Sequence, residues 1–307
     1  MSARELREFF TPSDGEAGWA AERTRHCPGR MPTLLVLLKS CGRLGYFPDL
    51  EQVPDVITAH IRAALALAPG TPLEYGSAWS AERSRSWVRK RLGLVRDPQR
   101  VRAAAEEAMV VAAPVKAHTA DLVNVALEEI VRAGLELPGF STLDRMAAEV
   151  RTRVQGAICA GIVGRMSEAA TERVAVLLEV ADGKRRSAFD AMKEPGRRAT
   201  WSKFRAHAER MEQLHQLGDA SGWVAGVAAA KVASLAAHAR VLTLGEVKDI
   251  AEPRRTAMLA CLVAEARTKA WDEFVTMLCK RTASHLKRGE GPWRRWSGGR
   301  RRSPSSC

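Results

Sequence analysis

Val53-Pro-Asp-Val-Ile-Thr-Ala-His-Ile-Arg-Ala-Ala-Leu-Ala-Leu-Ala68 decides the fold class. Val56, Ile57, His60, Ile61, Ala64 and Leu67 recur at three- and four-residue intervals, which places them on one face of an α-helix, and Pro69-Gly70 ends the run. Similar signals appear on both sides. Pro32 leads Leu34, Leu35, Leu37 and Leu38 into a short buried helix that stops around Gly42 and Gly45, before a Tyr46-Phe47-Pro48 turn. Residues 77–92 form a basic helix with Gly93 at its carboxyl cap; Asp97 caps the next, with Pro98 at its first position. Residues 116–133 follow as a helix after Pro114.

Gly134, Pro138 and Gly139 then break the chain, and Ser141 with Asp144 has the spacing of a capping pair opening a long helix through Met146, Val150, Val154 and Ile158. Further helices are expected over residues 167–180, 187–193, 200–217, 223–239, 244–250 and 253–286, the last with a weak point near Thr268. No segment alternates as a strand does. The expectation is an all-α protein with a helical domain over residues 1–139, a second over 140–288, and a disordered Arg/Gly/Ser-rich tail over 289–307.

Composition agrees with helices: 46% hydrophobic and 27% charged residues with only 6% aromatics suit amphipathic helices better than a sandwich or barrel. The net charge of +13 and pI near 10.0 favour a polyanionic partner. Its placement matters more than its size. Nine basic residues against one acidic residue lie from position 280 onward, so eight of the thirteen net charges belong to the last 28 residues. Such an abrupt shift into Arg, Gly, Ser and Pro also has the look of an out-of-frame reading of a GC-rich gene.

Cys27, Cys41, Cys159, Cys261, Cys279 and Cys307 are scattered without a C-x-x-C pair, which fits a reducing cytoplasm and neither a disulfide framework nor a zinc knuckle. The opening residues lack an apolar signal core, and no stretch is long enough to span a membrane. The seven histidines show no metal-ligand spacing, and no Gly-rich phosphate loop or nucleophile elbow is present. No cofactor, small-molecule substrate or catalytic constellation is indicated.

Two basic sets are candidates for DNA contact. Arg83, Arg85, Arg89, Lys90 and Arg91 lie on the helix over residues 77–92, where Trp79 and Trp87 would anchor the opposite face. Lys184, Arg185, Arg186, Arg197, Arg198, Lys203 and Arg205 surround the Glu194-Pro195-Gly196 turn. Each set also fits an ordinary solvated surface.

Residues 34–48 with Val53-Pro54, residues 75–93, and Leu137-Pro-Gly-Phe-Ser-Thr-Leu-Asp-Arg145 together resemble the amino-terminal, DUF4158-like DNA-binding region of Tn3-family transposases. Leu177-Leu-Glu-Val180 with Ser187, and then residues 214–218, continue the likeness, which spans residues 6–287. The resemblance implies helix-turn-helix-like modules that recognise double-stranded DNA at transposon terminal inverted repeats, with Arg83, Arg85 and Arg89 at basic family positions. Ala78-Trp79-Ser80 departs from the family's basic-threonine pair. Family members continue into an RNase H-like catalytic domain whose carboxylates hold two metal ions, so this chain is expected to be a truncated, non-catalytic, nucleoid-associated fragment with full-length transposase as a candidate partner. The alternative is a helical interaction scaffold or inert remnant without specific DNA binding.

Overall fold

The computed structural model describes residues 2–116, 118–180, 185–193 and 201–298, with residues 201–203 and 289–298 described as backbone only. Helices account for the described secondary structure, as the sequence period predicts; extended pairing is limited to one isolated parallel bridge between Val95 and Leu135.

Fifteen α-helices are described, in chain order. α1 (Ala3–Glu5) passes into a π-helical turn over Leu6–Phe10, and α2 (Asp14–Thr24), α3 (Arg30–Leu44) and α4 (Asp55–Ala64) follow. Next come α5 (Ala78–Leu92), α6 (Pro98–Ala112), α7 (Thr119–Arg132) and the long α8 (Phe140–Gly164). The remainder comprises α9 (Glu168–Val176), α10 (Ala188–Met192), α11 (Trp201–Gln216), α12 (Ala220–Trp223), α13 (Ala229–Val241), α14 (Leu244–Asp249) and α15 (Arg254–Gly298).

The chain divides into two units, Met1–Arg151 and Thr152–Cys307. The division falls inside α8 and not ahead of it, where Pro138 and Gly139 suggest a boundary. Burial explains the difference: Leu143, Met146, Ala147 and Val150 are buried in the first unit, whereas Cys159 and Ile162 belong to the core of the second. Pro138-Gly139 therefore lies within the first unit.

α3 is the centre of the first unit. Leu34, Leu35, Val36, Leu37 and Leu38 are each at most 3% exposed, so this helix has no solvent face along that run. Ile57 and Ile61 of α4 and Val88 of α5 pack on it. Burying each such side chain is worth about 1.5–3 kcal/mol. On α4 the buried face is narrower than its period suggests: Ile57, Thr58 and Ile61 are inside, while Val56 is 45% exposed and Ala64 is exposed too.

α3 also runs through Gly42 to end at Gly45, whose φ of +77° is the left-handed cap conformation. Gly45 is required on a second count, because a Cβ there would come within 2.6 Å of Leu137 Cδ1. Leu137 N–H donates to the Gly45 carbonyl at 2.9 Å, so the Leu137-Pro138-Gly139 segment is docked against the end of α3.

The second unit is organised similarly around α15, where every residue from Ala257 to Val263 is at most 1% exposed and α13 and α11 pack against it. Two expectations change here. The helix expected over residues 223–239 is split into α12 and α13 around Gly226, which has φ +75°. α15 is continuous past Thr268, whose hydroxyl donates to the Ala264 carbonyl at 3.1 Å, and it continues to Gly298, ten residues into the stretch expected to lack structure. Residues 299–307 lie outside the described residues.

Caps follow their signals closely. Asp97 accepts from Gln99 and Arg100 N–H at 3.1 and 3.0 Å, and Gly93 takes φ +69° at the end of α5. The exception is α8, which starts at Phe140, so Ser141 lies in its first turn and the Gly139 carbonyl accepts from Thr142 N–H at 2.9 Å.

Candidate nucleic-acid interface

α5 is held in place mostly by polar contacts, because Val88 is its one fully buried apolar residue. The approach to it is pinned first. Thr33 Oγ1 donates to the Gly29 carbonyl at 2.8 Å and accepts from Glu74 N–H at 2.9 Å, fixing the extended segment before α5 to the start of α3. Glu74 lies against Gly29, where a Cβ would meet its carboxylate at 2.7 Å, and Arg30 lies against Gly76, which has φ +79°. Ser77 then caps α5 by accepting from Ser80 N–H at 3.1 Å.

Arg89 fastens the other end. Only 8% exposed, it donates from Nε to Glu136 Oε2 at 2.6 Å and from Nη1 to Glu82 Oε1 at 2.9 Å, and its guanidinium lies 5.2 Å from the Phe47 ring centroid. Arg96 shares Glu82 at 3.0 Å. Burial disfavours the Arg89 charge, but the two carboxylates outweigh it and raise its pKa above the ordinary arginine value. The Arg89 guanidinium is thus engaged within the fold.

The tryptophans are arranged differently from expectation. Trp87 is half-buried against the core, but Trp79 is 68% exposed, and both share a stripe with Arg83 at intervals of four residues. The Arg83 guanidinium sits 4.4 Å from the Trp79 centroid and 5.5 Å from that of Trp87. An arginine stacked between two indoles loses less freedom on binding a phosphate than a free one. Arg91 lies 4.8 Å from the Trp19 centroid, Lys90 is exposed, and Arg85 stands beside the Tyr75 hydroxyl.

The fold adds arginines that sequence spacing did not assign to this surface. Arg23, Arg25 and Arg30 join Arg83 around a cleft of about 420 Å³ between the end of α2 and α5, with Trp87 and Tyr75 in its walls. Arg23 approaches the Trp87 ring at 5.7 Å. The signal was legible as three arginines and a histidine within residues 23–30, but nothing in the sequence says that this segment returns to α5.

Of the second basic set, Arg185 and Arg186 are exposed, Lys203 is placed on α11, and Arg205 is exposed and paired with Glu209 at 3.3 Å. Lys184, Arg197 and Arg198 lie outside the described residues. His207 is buried and bonds the Ala270 carbonyl at 2.8 Å, while His60 bonds Thr11 Oγ1 at 2.9 Å. Among the described residues no group of His, Cys, Asp and Glu could hold a metal ion, and no helix is long and apolar enough to cross a membrane.

Residues 1–150 match DUF4158, a domain of unknown function. The DUF4158 match covers α1 to α7 and the first part of α8, and so contains the Arg83 stripe, the Arg89 clamp and the arginine cleft. DUF4158 is found in transposases. A search of curated proteins found no match to the chain.

Proposed function

We propose that this chain is a DNA-binding component of Tn3-family transposition, and that it binds double-stranded DNA at transposon terminal inverted repeats. The observation that carries this reading is the Trp79-Arg83-Trp87 stripe of α5, with Trp79 and Arg83 exposed, set within a domain found in transposases.

On this reading α5 is the recognition helix of a helix-turn-helix-like element in the major groove. Arg83 and Lys90 meet phosphates or base edges, and Arg89 fixes the helix that carries them. The charges clustered from position 280 onward add sequence-independent attraction. Full-length transposase is the proposed protein partner, and the cytoplasmic nucleoid the proposed location.

A gel-shift titration against the terminal inverted repeat and a scrambled duplex, at matched salt, tests the reading. Tighter binding of the repeat by roughly 10³-fold or more is expected for specific recognition; equal affinity sinks it and leaves the scaffold reading.

A further inference from the structure

We infer that the cleft between the carboxyl end of α2 and α5 is a phosphate site that takes one backbone phosphodiester of duplex DNA. This rests on the DNA-binding reading above and adds Arg23, Arg25 and Arg30 to the contact surface.

Three observations converge. First, the cleft brings together four guanidiniums, those of Arg23, Arg25, Arg30 and Arg83, against the carboxylates of Glu22 and Glu74. Among the described residues none of these four arginines makes an ion pair. Like charges gathered in a concavity repel one another and focus a positive potential there, and an anion relieves both. A tetrahedral phosphodiester with two free oxygens suits several forked donors at once.

Second, the backbone holds Arg25 where arginine is disfavoured. Arg25 ends α2 with φ +54° and His26 follows with φ +55°, both in the left-handed region. Glycine is the usual occupant of such a position. A long basic side chain in a left-handed residue at a cleft rim is the kind of local cost that persists at ligand sites.

Third, a glycine of positive φ stands next to Arg30. Gly76 takes φ +79°, which excludes most side chains, and the end of the Arg30 side chain lies against it.

The test uses the full chain and compares it with Arg25→Gly and with Arg30→Gln. Affinities for the repeat and the scrambled duplex are measured from 50 to 300 mM salt. The expected result is that each variant weakens both duplexes by the same factor and lowers the slope of log K against log salt by about 0.9, the loss of one phosphate contact.

Arg25→Gly relieves a left-handed arginine, so its Tm is expected to rise by about 2–4 °C while binding falls, which separates the effect from unfolding. Wild-type slopes retained in both variants overturn the phosphate site and leave DNA binding intact. No duplex binding by the wild-type chain overturns both readings. Loss confined to the repeat overturns the phosphate assignment in favour of base contact by these arginines.

Discussion

Arg89 Nε lies 2.6 Å from Glu136 Oε2, and this pair ties α5 to the segment that follows α7. Glu136 is itself held by its backbone, since its N–H donates to the Val95 carbonyl at 3.0 Å beside the Val95–Leu135 bridge. Glu136→Gln is expected to lower unfolding stability by about 2 kcal/mol, because it strips a charge-assisted hydrogen bond from a buried guanidinium. Glu82→Gln, at a side chain 50% exposed, is expected to cost less than 1 kcal/mol. Urea denaturation of the two variants checks the order.

Arg83 and Arg89 should separate cleanly. Arg83→Ala is expected to leave unfolding stability within about 0.5 kcal/mol of wild type and to weaken duplex binding about tenfold, as the loss of one stacked phosphate or base contact. Arg89→Ala is expected to destabilise by about 2–4 kcal/mol, leaving Glu136 short of its partner. The comparison is refuted if Arg83→Ala unfolds the protein or Arg89→Ala leaves it as stable as wild type.

Thiol chemistry should follow burial. Desolvation pushes Cys41 and Cys261 up to about 12 and raises Cys159, whereas Cys279 is exposed on α15. At pH 8 in native buffer, iodoacetamide is expected to label Cys279 in minutes and to spare Cys41, Cys159 and Cys261 until denaturant is added. Mass spectrometry of the digested protein reads this directly.

Acid should loosen both units through named carboxylates. Burial lifts Glu16, but Lys39 at 2.7 Å and the Ser13 N–H outweigh it, and burial likewise opposes Arg240 and Lys269 at Glu265; both carboxyls end below their ordinary 4.5. Because the folded values lie below the unfolded one, the unfolded chain takes up protons first as pH falls. Their stabilisation is full above about pH 4.5 and is lost as pH drops through the folded values. A Glu16→Gln/Glu265→Gln variant should show a flatter fall in urea midpoint between pH 5 and pH 3.

Removing residues 289–307 should lower affinity for repeat and scrambled duplex equally and reduce the salt slope, because its five arginines act through charge alone. Parallel titrations of the truncated and complete chains provide the measurement, and a changed preference between the two duplexes would count against the prediction.

Much of the helical architecture was readable because period, caps and breakers agree locally. Asp97 and Pro98, Gly93 and Gly45 behave in space as their chemistry dictates. The misplacements share one cause, which is that packing partners are not local. Pro138-Gly139 looks like a linker until Leu137 is seen against Gly45, and Trp79 looks like a core residue until its helix is seen to offer that stripe to solvent. For the same reason Arg89 reads as one basic residue among five, although Glu136 and Glu82 claim it. The cleft was illegible because its arginines are about 60 positions apart from Arg83 and meet only through the pinning of residue 74 on Thr33.

The two central helices sit at opposite ends of their units. The hydrophobic cluster around α3 is complete once Leu94 has been synthesised, so the first unit can begin to condense on the ribosome. The second cannot: α9 to α14 wait for Ala257 to Val263, the segment that fills their centre. Until that segment emerges, their apolar faces are uncovered, and nascent chains stopped before residue 257 should be the ones that chaperones and proteases find.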